Sequence, residues 1–139
     1  AGARPQSHPP PDLFKEPVSG QESRLRGRWG EEQAAGYLRR KGFRVTDVNW
    51  KCRFGEIDLI VEDGVYLCFV EVKLRKNAAY GPAAAFVDRR KQEKLRAAAM
   101  LYLSRHPTDL QPRFDVVEIY APQGVETEKP ELFQLEDAF

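Results

Sequence analysis

The chain has 139 residues, 31% of them charged, two cysteines, two histidines and a formal net charge of +1. A single domain of this length buries roughly two-thirds of its unfolded surface, so its fold needs no staples, and Cys52, Cys68, His8 and His106 form neither a disulfide framework nor a zinc-ligand spacing. No apolar run approaches the ~20 residues of a membrane span and no secretory pattern opens the chain, which predicts no membrane partner and a reducing, cytoplasmic setting.

The small net charge hides segregation. Residues 24–53 carry nine Lys/Arg against three acids; residues 54–72 carry five acids, Glu56, Asp58, Glu62, Asp63 and Glu71, and no base. Residues 73–96 return to eight bases against two acids, and residues 97–139 are net acidic. An acidic island between two basic blocks suits a metal-dependent enzyme acting on a polyanion, although helices with solvated charges would give the same counts.

In chain order, residues 1–23 hold Pro5, Pro9, Pro10, Pro11 and Pro17 with little hydrophobic periodicity, and predict a flexible arm ahead of one domain over 24–139. A helix is expected from about Arg26 to Lys41, capped by Gly42, with Glu31, Ala34, Ala35 and Leu38 on one stripe. Glu31 is therefore in line with core residues: it is either a first-turn acid favoured by the helix dipole or a carboxylate held there by something that binds it. Phe43–Trp50 reads as a strand. Asp63-Gly64 between two β-rich runs predicts a hairpin with a two-residue turn. That register opposes Ile57 to Val70, Leu59 to Cys68 and Val61 to Tyr66 on a core face, and Glu56 to Glu71 on the other. Residues 75–87 read as a loop broken at Tyr80-Gly81-Pro82. Asp88 is a cap for a helix to about Arg105 with Leu95, Ala98, Ala99 and Tyr102 inward. Arg113–Tyr120 and Leu132–Leu135 are the last strands. The order predicts an α/β domain with helices layered on a sheet.

Asp58, Glu71 and Lys73 share the ionic end of one sheet face, because residues two apart on a strand point the same way. Two carboxylates as diagonal neighbours suit Mg²⁺ or Mn²⁺, hard ions that retain several waters. Such an ion polarises a phosphate and activates water, with Lys73 facing the developing phosphate charge. An exposed Glu–Lys ion pair at a strand end is the plainer alternative. The basic residues around the hairpin, Arg53, Arg75 and Lys76, are candidate nucleic-acid contacts. Lys91 and Gln92 near the second helix start are candidates to hold a phosphate, and Tyr80 to stack on a base. Arg113 and Asp115 read as a structural pair.

Gly55-Glu56-Ile57-Asp58-Leu59-Ile60 followed by Phe69-Val70-Glu71-Val72-Lys73 resembles the paired signature of the YraN-like family of bacterial proteins. That family is assigned to the PD-(D/E)XK, restriction-endonuclease-like fold alongside archaeal Holliday junction resolvases. The resemblance covers about residues 27–139 and includes Gly30-Glu31, Lys91-Gln92, Arg113-Phe114-Asp115-Val116-Val117 and Asp137-Ala138-Phe139. Ile57 stands where the wider superfamily often has Pro. The resemblance implies an αβββαβ core with a mixed sheet flanked by helices, an acidic triad of Glu31, Asp58 and Glu71, and Lys73 as catalytic lysine. It also implies a Mg- or Mn-dependent endonuclease acting on single-stranded or branched DNA in repair or recombination, with a homodimer as a candidate assembly because junction resolvases act as dimers. A non-catalytic nucleic-acid-binding module of the same fold is the alternative, and RNA is a further candidate substrate because no base-reading motif is present.

Overall fold

The computed structural model describes residues 20–77 and 87–139. Helix α1 spans Gly20–Arg40, and three strands follow: β1 Arg44–Cys52, β2 Gly55–Glu62 and β3 Tyr66–Arg75. Helix α2 spans Arg89–Arg105, then come β4 Gln111–Tyr120, a 3-10 turn at Gly124–Glu126 and β5 Glu131–Leu135. The strands form one sheet in the order β1-β2-β3-β4-β5. Only β3 and β4 are parallel. A parallel pair needs a long crossover, and the connection that contains α2 supplies it. This α/β architecture, a mixed sheet between two helices, is consistent with the expected restriction-endonuclease-like core.

Each helix owns one face of the sheet. Ala34, Ala35 and Leu38 of α1 pack with Leu59, Val61, Cys68, Val70, Val117 and Ile119. Leu95, Ala98, Ala99 and Tyr102 of α2 pack with Ile57, Ile60, Leu67, Phe69 and Val116. Both helical stripes are those expected. Both faces of the sheet are covered, as expected of a mixed sheet flanked by helices and as a parallel crossover requires.

One boundary and one register differ from expectation. Helix α1 starts at Gly20, so residues 20–23 join the helix rather than the arm; Gln21, Glu22, Arg24 and Leu25, ahead of the expected start near Arg26, are good helix formers even without apolar periodicity. Residues 1–19 and 78–86, and Tyr80 with them, lie outside the described residues. The β2–β3 hairpin is shifted by two: Leu59 pairs with Val70, Val61 with Cys68 and Glu62 with Leu67. The cause is local. Asp63 accepts from the N–H groups of Val65 and Tyr66 at 2.9 and 2.8 Å, and Glu62 accepts from Gly64 N–H at 2.8 Å. These bonds stabilise a wider loop, Asp63 to Tyr66, over a two-residue turn. A shift of two keeps Leu59, Ile60, Val61, Leu67, Cys68, Phe69 and Val70 on their expected faces, but Ile57, expected beside Leu59, packs on the α2 side. The shift does separate Glu56 from Glu71; Glu56 instead pairs with Lys51 of β1.

Helix α1 approaches β3 closely at Gly30, where a Cβ would stand 2.7 Å from Leu74 Cδ1. An alanine there gains helix propensity of about 1 kcal/mol but overfills the contact, an effect of about 1–3 kcal/mol in well-packed cores. Gly30→Ala should therefore be more favourable in a Leu74→Ala background than in the wild type, by about 1 kcal/mol or more in a denaturation double-mutant cycle. Strict additivity would show that the contact does not set the helix–strand distance.

Candidate active site

The site begins at a break in the sheet. Asn49 has φ +51°, a left-handed conformation that non-glycine residues seldom adopt and that asparagine tolerates best. It lies between the cross-strand pairs Val48–Leu59 and Trp50–Ile57. Leu59 packs on the α1 side, whereas Ile57 and Trp50 pack on the α2 side. Residues two apart on a regular strand share a face, so alternation fails here, at Asp58. The β2–β3 ladder ends next door at Leu59–Val70. In place of a further backbone pair, Asp58 Oδ2 accepts from the Val72 N–H at 2.8 Å. The carboxylate is thereby fixed against β3 instead of swinging free.

Around it the acids converge. Burial, then the neighbouring charge of Glu71, pushes the Asp58 carboxyl up to about 7, against the Val72 N–H; Glu31 adds to the rise and Lys91 opposes it. Glu71 is buried, and the Lys91 ammonium of α2 stands 3.5 Å from its Oε2. Glu31 on α1 is half-buried, and burial with the nearby Glu56 raises its carboxyl above the ordinary range, while Lys51 and Arg28 pull it down. Glu31, Asp58 and Glu71 thus form one electrostatic neighbourhood drawn from a helix and two strands. Among the described residues no three His, Cys, Asp or Glu side chains are gathered closely enough to enclose an ion. A Mg²⁺-type ion needs no such cage: one or two carboxylates, several waters and a phosphate complete its shell. The Asp58–Glu71 pair fits that requirement, since both ligands are hard oxygens and their shared negative charge is only partly offset by Lys91.

Lys73 lies two residues beyond Glu71 on the same strand, half-buried, and enters no ion pair among the described residues. Arg53 sits in the β1–β2 turn with its guanidinium 4.7 Å from the Phe54 ring centroid. Lys76 is exposed just past the end of β3. Arg75 is buried, in register with Tyr120, and so stands in the sheet rather than on its rim. The Gln92 carboxamide donates to Val87 O at 2.6 Å and braces the start of α2, whose cap is Asp88, accepting from Lys91 N–H at 2.8 Å. Arg113 and Asp115 are the expected structural pair: two bonds of 2.9 Å, with Gln134 and the Asp137 N–H also bound to the buried carboxylate.

A cleft of about 330 Å³ opens beside these groups, lined by Phe54, Gly55, Glu56, Lys91, Lys94 and Leu95. Phe54 and Lys94 were not anticipated. The legible signal was the spacing of Lys91 and Lys94, which are neighbours on one helix face.

Residues 30–119 match the model described as "Uncharacterised protein family UPF0102". The chain belongs to the UPF0102 family. Similar members include UPF0102 proteins of Renibacterium salmoninarum, 42% identical over 101 residues, 72% of this chain and 86% of that protein, and of Stutzerimonas stutzeri, 45% identical over 107 residues, 73% and 86%. One of Rhodococcus opacus is 41% identical over 116 residues, 81% of this chain and 94% of that protein. The UPF0102 match includes Glu31, Asp58, Glu71, Lys73 and Lys91.

The raised Asp58 carboxyl has a consequence for stability. An unfolded Asp ionises near about pH 3.9, whereas the folded group holds its proton up to about 7. Between those values the unfolded chain binds fewer protons, so stability falls as pH rises through the window and levels off above it. Asp58→Asn keeps an acceptor for the Val72 N–H and removes the charge. In EDTA its melting temperature should gain on the wild type from about pH 4 to about pH 7 and hold that gain at higher pH. A difference that does not change with pH, or that shrinks as pH rises, would refute the assignment of a strained carboxylate.

Proposed function

We propose that this UPF0102 chain is a metal-dependent DNA endonuclease acting on single-stranded or branched DNA in repair or recombination. The observation that carries the reading is the Asp58–Glu71 pair: two carboxylates in a poorly solvated corner, one pinned by a backbone N–H, with Lys73 two residues further on. A structural acid pair of this kind is costly to keep charged, and a divalent cation removes that cost. The preference for branched or single-stranded DNA rests on the resemblance of the hairpin signature to the fold of junction resolvases.

In this reading Asp58 and Glu71 hold Mg²⁺ or Mn²⁺, with Glu31 contributing from α1. When bound, the ion supplies Lewis-acid polarisation of the scissile phosphate. Lys73 faces the phosphate and neutralises charge as it develops on the non-bridging oxygens. Lys91, Lys94 and Arg53 line or border the cleft and supply the sequence-independent attraction to the backbone that dominates nucleic-acid affinity. Phe54, at the mouth of the cleft, offers a ring on which an unpaired base stacks.

The test is cleavage across duplex, single-stranded and branched DNA and RNA in Mg²⁺, Mn²⁺ and EDTA. Cleavage should require the metal and favour single-stranded or branched DNA. Asp58→Asn should abolish it while leaving metal-free DNA affinity equal or slightly higher, because one carboxylate near the phosphates is gone. Lys73→Ala should cripple turnover and also weaken binding. Cleavage that persists in EDTA, or in Asp58→Asn, would sink the reading. Binding with no cleavage of any substrate would favour a nucleic-acid-binding module instead.

A further inference from the structure

Beyond the cover of α2, the same sheet face carries a second acid. Glu118 lies in an apolar run of β4, Val116-Val117-Glu118-Ile119, and is only 3% exposed. Its neighbours on β4 show which way it faces. Val116 packs on the α2 side, and Val117 and Ile119 pack on the α1 side, so alternation puts Glu118 with Val116. Parallel pairing with β3 sets Phe69 beside Phe114, Lys73 beside Glu118 and Arg75 beside Tyr120. The first of these pairs is in ring contact at 5.6 Å, which confirms that paired residues share the α2-side face. Lys73 and Glu118 are therefore lateral neighbours, one strand spacing of about 4.8 Å apart at the backbone.

One Glu118 oxygen is used: Tyr120 donates its hydroxyl to Oε1 at 2.6 Å. The other, Oε2, is buried and has no hydrogen-bond partner among the described residues. Phe133 of β5, in register with Glu118 on its other side, meets the Tyr120 ring edge-on at 5.7 Å. A glutamine would accept from Tyr120 equally well, so the hydroxyl does not account for a buried negative charge. Two cations share the face, Lys73 in register with Glu118 and Arg75 one pair further along, where its charge is felt by the Tyr120 hydroxyl. On the opposite flank of Lys73, Glu71 already has Lys91 at 3.5 Å.

We propose that Glu118 is a positioning residue for Lys73, its free Oε2 drawing the lysine ammonium into a fixed orientation on the sheet face beside the Asp58–Glu71 pair. The proposal rests on the nuclease reading for its consequence, though not for the contact itself. The lysine stem has four rotatable carbons, and its ammonium enters no ion pair among the described residues. A buried counter-charge restricts it at the distance from Glu71 that the strand dictates. Lys91 and Lys73 then divide the labour: Lys91 offsets Glu71, and Glu118 holds Lys73 for the phosphate.

The test uses the full chain with Glu118→Gln, which keeps the shape and the Tyr120 hydrogen bond and loses only the charge. In metal-free buffer, NMR of isotope-labelled lysine side chains should show the Lys73 ε-methylene and ammonium signals move and average in Glu118→Gln, with Lys91 unchanged. Reciprocally, Lys73→Met should shift the Glu118 carboxyl carbon, which keeps the test open if Glu118→Gln fails to fold. Under cleavage conditions Glu118→Gln should lower kcat by about tenfold to a hundredfold, the scale of a misplaced catalytic group, with KM within about twofold and melting temperature unchanged or raised. Unmoved Lys73 signals, or a response confined to the Arg75 guanidinium, would overturn the pairing. Full kcat in Glu118→Gln would overturn its role in turnover. If the wild type cleaves nothing, the NMR result still decides the Lys73–Glu118 contact, and only the nuclease reading falls.

Discussion

The hydrogen bond from the Val72 N–H to Asp58 Oδ2 holds the molecule's most constrained charge in place. At that point β2 stops pairing with β3 through its backbone and offers a side chain instead. A carboxylate set there cannot turn to solvent without leaving a strand N–H unsatisfied, and it cannot ionise without meeting Glu71. Desolvation and like charge both push its proton affinity up, the combination that recurs where proteins hold cations or run acid–base chemistry. Asn49 makes the arrangement feasible: its left-handed backbone breaks the alternation of β1 opposite the same position.

The layers then follow from that point. A sheet covered by helices on both faces leaves little room for polar groups, and they gather at the break in β2. Helix α1, brought close to β3 by Gly30, carries Glu31 to one side of the break. The crossover demanded by the parallel β3–β4 pair delivers the first turn of α2, with Lys91, to the other. Lys91 offsets part of the negative charge from within the protein and lines the cleft at the same time. The Arg113–Asp115 clamp, with Gln134 and the Asp137 N–H, ties the C-terminal segment to β4 on the opposite side of the core. It belongs to the fold rather than to the site.

Much of this was legible in the amino-acid sequence, and the parts that were not have local causes. Leu95, Ala98, Ala99 and Tyr102 stand at helical spacing, and Asp88 precedes them as a cap; both features survive folding because each depends only on near neighbours in the chain. Asp58, Glu71 and Lys73 were expected together from strand alternation and from pairing across the hairpin, and Asp58 and Glu71 do meet. The register was not legible, because Asp63-Gly64 matches a tight hairpin while the Asp63 carboxylate, by binding two N–H groups, favours a wider loop. The break at Asn49 left no trace beyond an asparagine in a strand. Arg75 looked like part of a basic rim, but β3 continues far enough to bury it. Glu118 went unread, although it is an acid inside the apolar run Val116-Val117-Glu118-Ile119. Its neighbour Lys73 lies 45 positions earlier in the chain, a pairing that only the parallel register reveals.

The account stands on a cation-seeking pair of carboxylates at the break in β2. Mn²⁺ titrated into the isotopically labelled protein at neutral pH, followed by paramagnetic broadening of backbone amides, tests that most directly. Broadening should start between residues 56 and 73, with the amides of Asp58 and Val72 among the first lost, and Asp58→Asn should suppress it. Broadening that starts in the acidic C-terminal stretch, residues 126–137, and is indifferent to Asp58→Asn would contradict the account.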